Sequence, residues 1–183
     1  EELYTHFPDA VVERLDSDTA GDRKKFLAIL RSMRNREIDI LIGTQMIAKG
    51  HHFPHVTFVG VVWADGGLNM PDFRAAERTY QLLSQVTGRA GRDELRGRVL
   101  IQTMLPDHYA IALAKQHDYT SFYQQEISLR RKPVFPPYVR LACMRISGEN
   151  EFNVRKTSIN IAMACRSLQK SEEFYLDVLG PAP

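Results

Sequence analysis

The chain has 183 residues, 44% hydrophobic and 25% charged, with a net charge of +2. These values fit an ordinary globular chain of one large or two small domains, and they exclude a global electrostatic field as the basis of nucleic-acid binding, so any such partner must meet a local patch. Cys143 and Cys165 are the only cysteines and lack C-x-x-C spacing, which excludes a zinc signature and a disulfide framework and sets a reducing, cytoplasmic environment as the expectation.

No apolar run reaches the roughly 18 residues of a membrane span, and no signal peptide opens the chain. It begins "EELYTHF" without Met and stops at "DVLGPAP" after an apolar run. It therefore reads as an internal segment of something longer.

In chain order, "VVERLD" (11–16) reads as a short strand, and "SDT" supplies capping residues. Residues 21–34 follow, with Phe26, Ile29, Leu30 and Met33 on one helical stripe. "IDILIG" (38–43) and "VTFVGVVWAD" (56–65) read as buried strands. "NMPDFRAAERTYQLLSQV" places Pro71 near a helix start, with apolar residues at 73, 76, 80, 83 and 86. "RVLIQT" (98–103) is a further strand. Short apolar strands alternating with helices imply an α/β fold with a parallel sheet covered on both faces. Ligands on such sheets sit beyond the carboxyl ends of the strands. Both glycine-bearing segments, "GTQMIAKGHHFP" and "GRAGR", are expected at or near such ends.

After Pro106 the character changes. Residues 107–130 read as two helices, the second aromatic through Tyr119, Phe122 and Tyr123. "RKPVFPPY" (131–138) is not helix, because Pro133, Pro136 and Pro137 lack N–H donors. "VRLACMRISG", a helical 151–169 and "EFYLDVLG" predict a β-α-β unit. The aromatics invite a base-stacking role for unpaired nucleotides, against the alternative of core packing. The basic run Arg130, Arg131, Lys132 is expected to be exposed.

Two motifs carry chemistry. In "QLLSQVTGRAGR", Gln85, Arg89 and Arg92 share a face if the helix persists. Gly88 and Gly91 remove bulk so that a ligand can come close. A guanidinium grips phosphate oxygens in pairs, and the window 74–98 holds six arginines and no lysine. The bland alternative is a glycine-ended helix with solvated arginines. In the other motif Gly43 permits a tight turn, and residues 44–49 form one helical turn whose free N–H groups could face an anion. Lys49 could meet a second phosphate. His51 and His52 are adjacent and point different ways, a poor metal pair that His55 does not rescue.

In this order the motifs resemble those of the second RecA-like lobe of superfamily-two helicases, with "GTQMIAKGHHFP" as motif V and "QLLSQVTGRAGR" as motif VI. The fuller run from "ILIGTQMIAKGHHFP" through "PDFRAAERTYQLLSQVTGRAGR" is similar to the replication-restart, or primosomal, branch, and the trailing "FPPY" and "VLGPAP" fit it too. His52 stands where the superfamily generally has Asp, a departure that the primosomal branch shares. Trp63 stands where that branch usually has an acidic residue. The resemblance covers nearly the whole chain and is strongest over 38–103.

It implies a P-loop NTPase-like, parallel-sheet helicase lobe over 1–105, a helical connector and Pro-rich elbow over 106–138, and a partial small α/β domain over 139–183. It implies catalytic roles for Arg89 and Arg92, nucleotide contacts for Gln85, Gly50 and Gly88, and nucleic-acid contacts for Thr44, Gln45, Lys49, His51 and His52. The implied cofactors are ATP and Mg²⁺, at a site completed by a first lobe, and zinc in a module whose ligands are not in this chain. The implied partners are single-stranded and forked DNA, single-strand-binding protein and primosome or helicase-loading proteins, with no membrane. The implied activity is 3′→5′ DNA unwinding for restart of stalled forks. No G-x-x-x-x-G-K-[ST] loop and no Asp-Glu-x-His run occurs, so this chain alone is expected to be inactive. The alternatives are a nucleic-acid-binding adaptor with a non-catalytic lobe, and an RNA helicase.

Overall fold

The structure, a computed structural model, describes residues 2–16, 21–48, 53, 55–88, 97–168 and 176–181. The chain divides into two units, Glu1–Val139 and Arg140–Pro183.

Unit 1 opens with a short helix α1 (Glu2–His6) and strand β1 (Val12–Leu15). Helix α2 (Arg23–Arg34) starts at Asp22, whose carboxylate accepts the N–H groups of Lys24 and Lys25. An Asp at this position satisfies two donors that the first helical turn leaves unpaired. The cap is therefore Asp22, inside the span expected to be helical; the "SDT" expected to supply it lies outside the described residues. Ile29 and Leu30 are buried, and Phe26 and Met33 pack against them, as the stripe predicts.

Strand β2 (Ile40–Gly43) pairs in parallel with β1, Val12 opposite Ile40 and Leu15 opposite Gly43. Helix α3 (Gln45–Ala48) follows at once. A second parallel pair joins β3 (Phe58–Val61) to β4 (Arg98–Ile101). Between them run a 3₁₀ turn, Ala64–Gly67, and helix α4 (Ala75–Thr87).

Two expectations are corrected here. The described strands form two separate two-stranded sheets rather than one. The β3–β4 pair is not covered on both faces either. Alternation along each strand sends Val61 and Ile101 into the core and leaves Phe58 and Leu100 59% and 61% exposed. Strand β3 is also shorter than 56–65. Trp63 takes a left-handed conformation (φ 56°), which no strand accommodates, and the chain turns into the 3₁₀ segment.

Two hydrophobic clusters organise unit 1. Leu15, Ile29, Leu30 and Ile38 form one, joined by Leu41, Ile47 and Phe53. Ala64, Tyr80, Leu83, Ala110, Ile111, Ala114 and Phe122 form the other. The second is built from α4, α5 (Tyr109–Lys115) and α6 (Tyr119–Arg131), the two helices expected over 107–130. Helix α4 begins after Pro71. The Asp72 carbonyl accepts the Ala75 N–H at 2.9 Å, and its carboxylate accepts the Arg74 N–H at 2.9 Å and pairs with Arg78 at 2.9 Å. Negative charge there complements the helix dipole.

Unit 2 is dominated by α7 (Glu151–Leu168), entered where the Asn150 side chain accepts the Asn153 N–H at 3.1 Å. The flanking strands of the expected β-α-β unit are absent among the described residues. Residues 140–148 and 176–181 are extended or irregular and pair with no strand. Apolar content favours a strand, but a ladder of hydrogen bonds to a neighbour is what makes one.

Candidate nucleotide- and DNA-facing site

The first motif is a strand, a glycine and one helical turn. Gly43 ends β2 beside the Leu15 carbonyl. A Cβ at that position would stand 2.3 Å from the Leu15 oxygen and 2.1 Å from Ile47 Cδ1. The glycine is required by close approach, since backbone cannot give way as a flexible side chain can. Thr44 follows, and its carbonyl accepts the Ile47 N–H at 3.1 Å, closing the turn. Thr44 and Gln45 are exposed at the carboxyl end of β2. Lys49, Gly50, His51 and His52 lie outside the described residues.

The second motif ends α4. Thr79, Tyr80, Leu83 and Val86 are buried, and Gln85 is exposed on the opposite side. Gly88 closes the helix, its N–H donating to the carbonyls of Ser84 and Val86. Its φ of −75° is right-handed, so the conformational freedom of glycine is not what this position uses. Of "GRAGR" only Gly88 is described, so the expected place of that segment near a strand's carboxyl end lies outside the described residues. Arg89 and Arg92 lie outside the described residues.

Helix α3 packs against α4. Tertiary structure thus brings the elements carrying Gln45 and Gln85 side by side, although the two motifs are distant in sequence. Each is anchored on its own cluster: Ile47 packs against the first and Leu83 lies in the second.

Around α4 lie polar groups that sequence reasoning did not single out, or placed differently. Asp65 is only 3% exposed. Its carboxylate accepts the Thr103 hydroxyl at 2.5 Å and the Met104 N–H at 2.8 Å. Those two bonds, the hydroxyl's first, hold its pKa below the usual carboxylate value. Asp65 therefore locks the segment after β4 onto the 3₁₀ turn.

Arg130 was expected to be exposed and is not; its side chain is 12% accessible. Its Nη2 donates to Glu77 Oε2 at 2.7 Å, its Nε to Glu126 Oε1 at 2.7 Å and its Nη1 to the Pro136 carbonyl at 3.3 Å. Tyr109 donates its hydroxyl to the other Glu126 oxygen at 2.5 Å. Burial and that bond raise the Tyr109 pKa well above its ordinary value. Several charge-assisted acceptors in fixed positions offset the hydration that the guanidinium loses. The i,i+4 pair of Glu126 and Arg130 is readable in sequence; the partnership with Glu77, across 53 residues, is not.

The aromatics divide. Phe122 is 3% exposed and stacks on Tyr80 with ring centres 3.9 Å apart. Tyr119 and Tyr123 face outward, 64% and 53% exposed. Phe135 stacks on Phe73 at 5.4 Å. Among the described residues no group of three His, Cys, Asp or Glu side chains could hold a metal ion. No helix among them is long and apolar enough to cross a membrane.

Parallel strand pairs with helices between them make this a mixed α/β protein, with two glycine-bearing motifs on neighbouring elements. No protein-family model matches it. Over 100% of its length the chain is 46% identical to Replication restart protein PriA of Bacillus subtilis (strain 168) and 44% identical to that of Synechocystis sp. (strain ATCC 27184 / PCC 6803 / Kazusa). It is 41% identical to that of Rickettsia felis, again over 100% of its length. It spans 22% of the length of the first two relatives and 27% of the third. The chain belongs to the replication restart protein PriA family.

Proposed function

We propose that this chain is the second RecA-like lobe and adjoining C-terminal part of an ATP-dependent 3′→5′ DNA helicase that restarts stalled replication forks. The observation that carries the reading is the match of the whole chain to PriA relatives, including 46% identity to the Bacillus subtilis protein. The adjacency of α3 and α4 supports it, since a lobe that couples nucleotide state to DNA needs its two motifs in mechanical contact.

The exposed Gln85 and the glycine at the end of α4 suit an approach by phosphate from outside the unit. In this reading Mg²⁺ belongs with the first lobe. ATP with Mg²⁺, when bound, supplies the γ-phosphoryl group for hydrolysis. This chain's contribution is charge: Arg89 and Arg92 neutralise the developing anion, an effect worth about 10³–10⁵ in rate. Gln85 orients from the last turn of α4, and Gly50 and Gly88 leave room for backbone approach. Thr44 and Gln45, with Lys49, His51 and His52, meet the DNA backbone. Single-stranded and forked DNA are the substrates; single-strand-binding protein and primosome or helicase-loading proteins are the partners.

The test uses the full-length protein. Arg89→Ala and Arg92→Ala should each lower DNA-stimulated ATP turnover by about 10³ or more while leaving fork binding nearly intact. Retained turnover in both variants overturns the reading. Fork binding by an unmodified parent that never hydrolyses ATP establishes the adaptor instead.

A further inference from the structure

Arg130 joins three parts of unit 1 through one planar group. Glu77 lies in the first turns of α4, Glu126 on α6, and Pro136 in the elbow that precedes Arg140. The guanidinium carbon also stands 5.2 Å from the centre of the Phe73 ring, which stacks on Phe135 of the same elbow. The second Glu77 oxygen is used as well, accepting from the Gln81 side-chain amide at 3.1 Å. Glu77, Gln81 and Gln85 follow at four-residue spacing along one side of α4. A line of polar contacts therefore runs from the elbow through Arg130 and Glu77 to Gln81, one turn before Gln85.

Stability alone is a poor account of this arrangement. A buried ion pair gains little over well-packed apolar side chains of similar size, because both charges lose their hydration. What a fork-shaped cation with three fixed acceptors provides is orientation. Rotating α4 by one residue turns every side chain by about 100° and breaks the Glu77 contact. It would also carry Gln85 and the end of the helix away from their present direction.

We propose that Arg130 is a positioning residue for ATP turnover: through Glu77 it sets the rotation of the helix that ends in the glycine–arginine motif, and through the Pro136 carbonyl it ties that rotation to the elbow. The inference rests on the helicase reading above. Lysine keeps the charge but cannot hold three divergent acceptors. Glu77→Gln keeps the shape of its side chain while removing the charge that holds the guanidinium.

The experiment measures DNA-stimulated ATPase in the full-length protein for wild type, Arg130→Lys and Glu77→Gln, with thermal unfolding of each. Expected is a kcat lowered about tenfold or more in both variants, with the KM for ATP within about twofold and the unfolding midpoint close to wild type. A folded Arg130→Lys protein with wild-type kcat overturns the proposal while leaving the helicase reading intact. If both variants unfold, the network is purely structural and the proposal fails. A wild-type parent without ATPase removes the helicase reading itself, and this inference with it.

Discussion

His108 opens α5 with an imidazole where a hydroxyl or carboxylate would be usual. Its Nδ1 accepts the Ala110 N–H at 3.3 Å, and the ring stacks on Tyr109 at 4.7 Å. A ring nitrogen accepts only when it carries no proton. Burial lowers the pKa of this histidine from its ordinary 6.5, against the opposing pull of Glu126 and Asp65. The folded state thus binds the proton less readily than the unfolded chain. The stability contributed is complete above pH 6.5 and is lost as pH falls from there towards the lower folded value. His108→Asn keeps an acceptor without a titrating group. It should flatten the pH dependence of the unfolding midpoint below pH 6.5; a profile that overlays wild type would show that the cap is not protonation-sensitive. Neither this cap nor the burial of Arg130 was legible in the sequence. A histidine before an apolar run and an arginine in "LRRK" each have several ordinary fates, and partners such as Glu77 come from remote elements.

Helix α4 shows how much of an element is legible beforehand. The apolar positions 80, 83 and 86 face the core as their spacing predicts, because helical periodicity depends on neighbours within two turns. The start was less legible: Phe73 precedes the helix, which begins at Ala75 with Arg74 at the cap position and no side-chain cap, while Asp72 accepts the Arg74 and Ala75 N–H groups. The two faces predict opposite outcomes. Leu83 is 1% exposed, and Leu83→Ala should cost about 2–5 kcal/mol of unfolding free energy. Gln85→Ala, on the exposed face, should stay within about 0.5 kcal/mol. Denaturant titration of the two variants separates these cases, and equal losses would place Gln85 inside the core. Strand β3 is the contrary example. Ten apolar-rich residues suggested a strand, but the left-handed Trp63 ends it, and the buried Asp65 beyond it is held by Thr103 across 38 residues.

At the scale of the chain, the proposed activity divides between what is present and what is not. The sequence has the arginine motif that the proposed reading assigns to the γ-phosphate, and no G-x-x-x-x-G-K-[ST] loop to cradle the β- and γ-phosphates. The purified 183-residue chain should therefore show no DNA-stimulated ATP hydrolysis at concentrations where the full-length parent turns over readily. Measurable turnover by the chain alone would place a phosphate-binding site where none has been described.

Residue order was enough for the helices over 23–34, 75–87 and 109–131, the parallel sense of the strand pairs and the two glycine-bearing motifs, since periodicity and short connections act over a few residues. Folding in space settled the rest. Among the described residues it separated the strands into two pairs, left 140–148 and 176–181 without strand partners, and drew Arg130 largely out of solvent to Glu77. A strand exists only when a second chain segment completes its hydrogen bonds, and a buried charge must find its counterpart wherever the fold has put one.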